Sequence, residues 1–372
     1  MDTKKLADKP HYLILDALRG VAAVMVVVFH TFEAHSKGPL FQIINHGYLA
    51  VDFFFLLSGF VIGYAYDDRW EKMSIKEFFK RRLIRLQPMV VMGSIIGALF
   101  FYFQQSAVLF PAIGEVPVWK MLLTMVIGSL MIPVPPSMDI RGWQETYPLN
   151  GPAWSLFYEY IANILYAVIV RRFSKTLLSI LVIVSAGALV HYAVTVKGDM
   201  IGGWSLDLTQ IRVGLTRVMF PFFAGLLLCR AAKLPHIKNA FLWCSILLVA
   251  VLSIPRIGGA EQPWMNGLYE SLIIIFVFPA IVLLGAGGTV EGKWQKSLSK
   301  FLGDISYPIY ITHYPLIYWY TAWVVDHQYS MQQAFPVSLL VVTGSIALAY
   351  ACLKLYDEPV RNWLQRKFLQ KK

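Results

Sequence analysis

Residues 13–32 read LILDALRGVAAVMVVVFHTF, an apolar run that is long enough to cross a membrane as one helix. The run contains Arg19 and His30, and an ionisable side chain within hydrocarbon by default marks a functional site. Eleven residues separate them, so both side chains lie on nearly one face of a helix, about 16 Å apart along its axis. Asp16 lies three residues before Arg19 and is expected to pair with it. In the alternative interpretation, Arg19 snorkels to the interface and His30 is a packing residue.

The composition is that of a polytopic membrane protein. Of the 372 residues, 57% are apolar and 15% are charged, and the mean hydropathy is +0.57, whereas soluble chains carry about 25% charge. The net charge of +11 does not indicate a nucleic-acid partner, because nearly all of it falls in loops on one side of the predicted membrane. Cys229, Cys244 and Cys352 lie in apolar stretches as packing residues, and their spacing indicates neither a disulfide nor a metal site.

The apolar segments predict an all-α membrane bundle of about ten transmembrane helices. These segments are residues 13–32, 47–66, 86–104, 153–170, 176–195, 211–229, 239–255, 267–285, 305–325 and 336–356. Lys and Arg are concentrated in the loops on the side of the N-terminus, which predicts that both termini are cytoplasmic. An eleventh apolar segment, 118–133, would reverse every later basic cluster if it crossed. We therefore expect it to lie within the long outer segment 105–152 without crossing.

Residues 1–372 are interpreted as a single membrane domain. Residues 1–12 are expected to form a cytoplasmic tail, and residues 357–372 a second, basic cytoplasmic tail. The N-terminal sequence has no cleavable signal pattern, since a short basic stretch leads directly into a full-length span.

Polar residues in the second and fourth spans are further site candidates. Asp52 lies near the outer end of the second span, where it can orient the histidine of the first span or a hydroxyl substrate, or simply favour the helix start. Ser58 follows in the same aromatic, glycine-containing helix. The fourth span begins with Trp154 and Ser155 and carries Glu159, and a carboxylate in an apolar run needs a partner or a proton-linked role.

A basic cluster precedes the third predicted span. Arg82 and Arg85 are three residues apart and share a helix face, and arginine forks bind phosphates through paired, charge-assisted hydrogen bonds. We interpret this pair as functional, although a cluster of this kind can also face anionic lipid. Lys80 and Arg81 are interpreted as ordinary positive charges of the cytoplasmic side.

The ninth predicted span contains a second histidine. Its sequence GDISYPIYITHYPLI includes Tyr307 and His313 together with two prolines. A histidine in a helix broken by proline can line a cavity, although in a tyrosine-rich segment it is as often a packing residue. Tyr307 and His313 are therefore secondary candidates.

Five segments, taken in order, resemble the acyltransferase-3 family of integral membrane acyltransferases. They are LDALRGVAAVMVVVFH, VDFFFLLSGFVIG, FFKRRLIRLQP, GPAWSLFYEY and ISYPIYITHYPL, and the resemblance extends from about residue 12 to residue 356. The family's Arg-x10-His, Arg-x-x-Arg, Ser-Gly-Phe and Trp-Ser-Leu-x-x-Glu patterns are matched by Arg19 with His30, Arg82 with Arg85, Ser58–Gly59–Phe60, and Trp154–Ser155–Leu156 with Glu159. The chain resembles the stand-alone members rather than those with an appended extracytoplasmic domain.

The resemblance implies a multi-pass protein of the bacterial cytoplasmic membrane that transfers an acyl group, usually acetyl from acetyl-CoA, to a hydroxyl of a sugar or glycan. Acceptors in the family include exopolysaccharides, O-antigen units, peptidoglycan and macrolides. No metal is implied. The expected partners are acyl-CoA on the cytoplasmic side, a glycan or other hydroxyl acceptor, and the lipid bilayer.

The residues agree with this activity. Arg82, Arg85 and Arg19 would bind the phosphates of coenzyme A, and His30 would act as the base that takes the proton of the acceptor hydroxyl. Glu159 or Asp52 would hold the histidine in the required tautomer. Whether the histidine is transiently acylated stays open at this stage.

Composition alone fits two other classes of protein. A carrier or flippase for glycan or lipid-linked intermediates would also place charges and broken helices in a membrane bundle. However, the two halves of the chain share no repeat, and the arginine pair suits a phosphate-rich donor. A sensor or structural protein would leave the buried charges without a role. In the outer segment, Trp119, Trp143 and Tyr147 are candidates for stacking on sugar rings or for an interfacial aromatic belt.

Overall fold

The structure is a computed structural model that describes residues 11–369. Within that range it is all-α, with no β-strand, as the sequence predicts. Its helices α1 to α14 are, in chain order, Leu13–Glu33, Ala50–Tyr66, Ile75–Phe103, Val118–Ser129, Ala153–Val168, Lys175–His191, Leu208–Ala231, Ala240–Ser253, Pro263–Leu272, Phe278–Gly287, Lys293–Thr312, Tyr314–His327, Met331–Cys352 and Glu358–Phe368. Three π-helical segments, Tyr192–Lys197, Ile273–Val277 and Leu353–Asp357, extend or join these helices.

Seven helices of the described range are long and apolar enough to cross a membrane, and they coincide with seven of the ten predicted spans. The other three predicted spans differ in length. Helix α5 has 16 residues and α8 has 14, whereas a span needs about 20, and residues 305–325 are divided between α11 and α12. Helix α4 has only 12 residues, a rise of about 18 Å, which agrees with the prediction that 118–133 does not cross.

The division between α11 and α12 falls at His313. Pro315 has no N–H group and cannot donate to the carbonyl oxygen of Ile311 four residues earlier, so the helical ladder is interrupted at this position. The predicted helix break in the ninth span is thus confirmed.

Helix α3 begins eleven residues before the predicted boundary at residue 86. Ser74 caps it: its side chain accepts a hydrogen bond from the backbone N–H of Glu77, whose own side chain accepts from the N–H of Ser74. Arg82 and Arg85 consequently lie well inside this 29-residue helix rather than at its start. They reach the interior of the bundle for that reason.

Helix α1 lies at the centre of the bundle. It contacts α2, α8, α10, α11, α12 and α13, and Ala17, Leu18, Ala22 and Val27 along it are completely buried. Among the charged side chains of α1, Asp16 and Arg19 are 19% and 17% exposed, whereas Glu33 at the C-terminal end of the helix is 51% exposed.

Helices α2 and α7 approach each other closely through two glycines. A Cβ atom on Gly59 would overlap the carbonyl oxygen of Phe222, and one on Gly225 would overlap that of Leu56. This crossing positions α7 against α2, which carries Asp52 and Ser58 of the candidate site.

Both chain ends extend beyond the described residues. Of the expected N-terminal tail, residues 1–12, the first ten positions lie outside the described range. At the other end, the basic segment continues the last span as a helix, because Leu353–Asp357 joins α13 to α14 without interruption. Residues 370–372 lie outside the described range.

We predict that Gly59→Ala destabilises the protein by about 1–3 kcal/mol, because the added methyl group has to separate α2 from α7. Gly187→Ala on α6 is the matched control, since its Cβ would meet no atom within 4 Å, and it should be neutral or slightly stabilising. Thermal unfolding of the two purified variants in one detergent measures the difference. Equal melting temperatures would contradict the proposed crossing.

Candidate active site

Two cavities lie at opposite ends of α1. The first, here named the arginine cavity, has a volume of about 250 Å³ and is lined by Asp16 and Arg19. The second, named the histidine cavity, has a volume of about 510 Å³ and is lined by His30 and Glu33. About 16 Å of helix rise separates Arg19 from His30, so the two ionisable positions of the first span belong to two different compartments.

The arginine cavity collects most of the polar residues that the sequence singled out. Besides the residues of α1, it is lined by Ser58, Arg82, Arg85, Ser155, Glu159 and Tyr307. The predicted pairing of Asp16 with Arg19 is confirmed, at 2.9 Å, and the other carboxylate oxygen of Asp16 contacts Nδ1 of His11 at 2.8 Å. The Tyr307 hydroxyl donates a hydrogen bond to the carbonyl oxygen of Leu86 at 2.7 Å.

Glu159 forms an ion pair with Arg82 and not with a histidine. Its Oε1 atom accepts from Nη2 of Arg82 at 2.6 Å and from the Ser58 hydroxyl at 2.6 Å. The expectation that Glu159 orients His30 is therefore wrong. The carboxylate extends from α5 into the arginine cavity, where the guanidinium on α3 is its nearest cation.

Arg82 and Arg85 differ in what is left for a ligand. The Arg82 side chain is only 6% exposed and is engaged by Glu159. Arg85 is exposed to the cavity and forms no ion pair with any carboxylate in the part of the chain that the structure describes. Of the two arginines expected to bind phosphate, only Arg85 has a guanidinium group that no carboxylate engages, so it can bind an anionic group such as a phosphate.

The carboxylate beside His30 is Glu33, one turn further along α1. Nδ1 of His30 lies 2.6 Å from Oε2 of Glu33. A carboxylate on Nδ1 holds the ring proton there and leaves Nε2 as the basic nitrogen. Sequence reasoning missed Glu33, although its spacing of three residues from the histidine was a usable signal.

Asp52 is engaged by Arg217 and lines neither cavity. Its Oδ2 atom lies 2.7 Å from Nη2 of Arg217, and both side chains are essentially inaccessible. Arg217 also donates to the carbonyl oxygens of Tyr48 at 2.7 Å and Gly202 at 3.2 Å. The expectation that Asp52 orients His30 is wrong because this buried arginine takes its carboxylate. Arg217 itself was missed, although an arginine within the apolar segment 211–229 meets the criterion applied to Arg19.

His313 lies behind His30 and lines neither of the two cavities. Its ring stacks on that of His30 with centroids 5.8 Å apart, and Tyr314 meets the His30 ring edge-on at 4.9 Å. Nδ1 of His313 is within hydrogen-bond distance of two carbonyl oxygens of its own helix, those of Ile309 at 2.9 Å and Tyr310 at 3.0 Å. The two predicted histidines are thus brought together. His30 lines the histidine cavity, and His313 packs against the His30 ring.

A thin wall separates the two cavities. Val51 and Tyr310 line both of them. The Tyr310 hydroxyl lies 2.7 Å from Oγ of Ser155, which lines the arginine cavity, while the neighbouring Trp154 lines the histidine cavity. The Trp154–Ser155 pair of the fourth span therefore lies at this wall, one residue facing each side.

The histidine cavity is rich in aromatic side chains. Trp143, Trp154 and Trp204 line it. Of the other outer aromatic residues proposed for sugar stacking, Trp119 is 65% exposed away from the cavity and Tyr147 is buried in the core. Only Trp143 of the predicted three lies where a ligand in this cavity would meet it.

A buried carboxyl group also lines the histidine cavity. Glu145 lies in the loop between α4 and α5 and accepts a hydrogen bond from the Tyr318 hydroxyl at 2.5 Å. Burial raises the pKa of the Glu145 carboxyl to about 7, although the hydrogen bond from Tyr318 and the charge of Arg141 act in the opposite direction. Sequence reasoning did not identify this residue, because nothing in its local sequence indicates burial.

A fold and site of this kind define a multi-pass membrane protein with an arginine-containing cavity and a histidine-containing cavity on either side of a thin wall. Among residues 11–369 there is no cluster of His, Cys, Asp or Glu that could hold a metal ion. The chain belongs to the acyltransferase-3 family: the model of that family, described as an acyltransferase domain, matches residues 12–354.

Two kinds of relative support this assignment. The chain is 33% identical over 162 residues to protein 2 in the picA locus of Rhizobium radiobacter, covering 42% of this chain and 81% of that protein. It is 23% identical to the peptidoglycan O-acetyltransferase OatA of Listeria monocytogenes over 94% of this chain, and 23% identical to the O-acetyltransferase OatA of Staphylococcus aureus over 97% of it. The aligned regions span 55% and 60% of those two OatA proteins. No solved structure matches the chain.

We predict that Glu145 makes the stability of the protein fall as pH rises. Its pKa is about 7 in the folded protein against about 4.5 when exposed, so its ionisation opposes folding increasingly from pH 4.5 and levels off above pH 7. Relative to wild type, Glu145→Gln should have a similar melting temperature near pH 5 but be more stable at pH 8, by roughly 3 kcal/mol at most.

Glu115→Gln, an exposed position between α3 and α4, is the control and should show no such difference between the two pH values. A wild type and Glu145→Gln variant that melt in parallel at both pH values would contradict a raised pKa at Glu145.

Proposed function

We propose that this chain is an O-acyltransferase that moves an acyl group, acetyl in the simplest case, from acyl-CoA to a hydroxyl group of a glycan. The donor enters the arginine cavity from the cytoplasm, the acceptor enters the histidine cavity from the outside, and transfer takes place at the wall between them. The membrane is the bacterial cytoplasmic membrane, with both termini on its inner face.

The donor assignment rests on charge and position. Coenzyme A carries phosphates at one end and a thin pantetheine arm that ends in the thioester. Arg85 offers an unengaged guanidinium at one end of the arginine cavity, and Val51 and Tyr310 close the other end. A phosphate on Arg85 and an arm that extends toward the wall would bring the thioester close to the histidine cavity.

The acceptor assignment rests on the lining of the histidine cavity. Its volume of about 510 Å³ is within the usual range for ligand pockets, about 300–1,000 Å³. Trp143, Trp154 and Trp204 offer aromatic faces, and Glu33 and Glu145 offer carboxyl groups. Aromatic faces combined with hydrogen-bonding carboxyl groups suit a sugar, which has both apolar ring faces and hydroxyl groups.

In the transfer step, Nε2 of His30 takes the proton of the acceptor hydroxyl as its oxygen attacks the thioester carbonyl carbon. The carbon–sulfur bond breaks, and the imidazolium returns the proton to the departing thiolate. The products are the acylated glycan and free coenzyme A thiol. Glu33 stabilises the imidazolium while it exists, through the 2.6 Å contact at Nδ1.

Arg82, Glu159 and Ser58 act as positioning residues in this proposal. Their two contacts of 2.6 Å join α2, α3 and α5 around the arginine cavity. Replacing one member of a buried pair leaves a charge without compensation, which typically destabilises by about 3–5 kcal/mol. Loss of activity on replacing Glu159 would therefore reflect the shape of the donor cavity rather than loss of a base.

The observation that carries the proposal is the arrangement of the two cavities, which meet only at residues that line both. A carrier for a glycan or lipid-linked intermediate is the second candidate, because it too needs compartments on both sides of a bundle. The histidine–glutamate pair on one cavity favours the enzyme, since transport alone needs no oriented base. Release of coenzyme A thiol from acetyl-CoA by the purified protein distinguishes the two functions.

We predict that His30→Ala lowers the rate of acetyl transfer by about 10²–10⁴-fold while coenzyme A still binds, because the base is lost and the donor cavity lies about three helical turns away. The assay follows radiolabelled acetyl from acetyl-CoA to peptidoglycan fragments, the acceptor named for the Listeria relative. Isothermal titration with coenzyme A measures donor binding separately.

His191→Ala is the control, since this histidine is exposed at the end of α6 and lines neither cavity, and its rate should match wild type. A His30→Ala protein that transfers acetyl at the wild-type rate would remove this histidine from the chemistry.

A further inference from the structure

A third cavity adjoins the arginine cavity on the side away from the wall. It has a volume of about 410 Å³, and its charged lining residues are Arg69, Arg81, Arg85 and Arg361. Arg85 and Arg361 also line the arginine cavity, whereas Val51 and Tyr310 do not line the third one. The arginine cavity and the third cavity therefore meet at Arg85 and Arg361, at the end of the arginine cavity that is opposite to the histidine cavity.

The two neighbouring cavities differ in charge. Five Lys or Arg residues and five Asp or Glu residues line the arginine cavity, so its formal charges balance. Among residues 11–369, four arginines and no carboxylate line the third cavity. A phosphate therefore gains most from the third cavity, where no carboxylate offsets the guanidinium charges.

The arginines of the third cavity come from three separate parts of the fold. Arg69 lies in the turn that follows α2, Arg81 and Arg85 lie one turn apart on α3, and Arg361 lies on α14. Arg361 pairs with Asp357 at 2.9 Å through Nε, which leaves its terminal nitrogens for a ligand. Arg69 and Arg81, like Arg85, form no ion pair with a carboxylate of residues 11–369.

This geometry revises the interpretation of Arg81 as an ordinary positive charge on the cytoplasmic side. Arginines whose only role is to face lipid would not have to line a cavity or to converge from three separate segments of the chain. Here residues from three segments converge on one open pocket that includes Arg81, together with the apolar side chains of Ala65, Ile84 and Leu369. Such a combination of apolar side chains and convergent polar groups is typical of a small-molecule site.

We propose that the third cavity binds the 3′-phosphate of the coenzyme A ribose, which makes it the site that selects phosphorylated coenzyme A. The inference rests on the proposed function. An acyl-CoA with its arm in the arginine cavity has its nucleotide at the far end, on the side of Arg85 and Arg361. Its 3′-phosphate is a separate dianion there, beyond the diphosphate, and the guanidinium forks of Arg69 and Arg81 suit it.

A phospholipid headgroup offers the same phosphate chemistry, and the experiment has to separate the two sources. Coenzyme A and dephospho-coenzyme A differ only in the 3′-phosphate, so they isolate its contribution. Isothermal titration of the full chain in a neutral detergent, with and without added phosphatidylglycerol, gives the affinity for each compound under each condition.

Wild-type protein should bind coenzyme A about 10- to 100-fold more tightly than dephospho-coenzyme A, the effect expected for charge-assisted hydrogen bonds. The double variant Arg69→Ala/Arg81→Ala should bind both compounds equally, at the wild-type affinity for dephospho-coenzyme A. That retained affinity also shows that the variant is folded.

Arg172→Ala/Arg366→Ala is the matched control. It removes two exposed arginines that line none of the three cavities, and it should keep the wild-type preference. Lysines in place of Arg69 and Arg81 should restore the preference only in part, since an ammonium cannot form the bidentate contact.

Equal affinity of wild type for the two compounds would overturn the inference while leaving the donor proposal intact. A preference that persists in the double variant would also overturn it. Phosphatidylglycerol that abolishes the preference of wild type and binds less well to the double variant would assign the cavity to lipid and contradict the inference. A wild type that binds neither compound would instead contradict the proposed acyl-CoA donor itself.

Discussion

Charge pairing inside an apolar bundle is the constraint on which the rest of this structure depends. A carboxylate or guanidinium away from water is stabilised by an opposite charge, and two such pairs here join separate helices. Asp52 on α2 pairs with Arg217 on α7, and Glu159 on α5 pairs with Arg82 on α3. These pairs fix the helices around the site and also decide which polar groups remain for ligands. Arg85, which has no carboxylate partner among residues 11–369, and the His30–Glu33 pair remain for ligands on the cavities.

The features that could be predicted from the sequence are those formed by residues close to one another along the chain. The pairing of Asp16 with Arg19 and the helix break near His313 follow from residues within a turn or two of each other, and the structure agrees with both. The partners of Asp52 and Glu159 lie 165 and 77 residues away, so local pattern could not assign them. The same limit concealed the cavity around Arg81, whose lining comes from three separate segments.

The two-cavity arrangement explains why one central helix carries two distant polar groups. Helix α1 has one end in the arginine cavity and the other in the histidine cavity, and the enclosing helices bury most of the residues between them. In the proposed function, a phosphate-bearing donor and a glycan occupy separate compartments. They meet only at a wall formed by Val51 and Tyr310, next to Ser155 and Trp154. An acyltransferase needs an acyl donor and an acceptor, and in the proposed function the two cavities provide one compartment for each.

The central claim is that the two cavities open to opposite sides of the membrane, and cysteine accessibility measures this most directly. Lys300→Cys places a thiol in the arginine cavity and Thr321→Cys places one in the histidine cavity, with wild type as the background for the three natural cysteines. In intact cells a membrane-impermeant maleimide should label Thr321→Cys at once and Lys300→Cys only after the membrane is permeabilised. Labelling of both positions in intact cells, or the reverse order, would contradict the account.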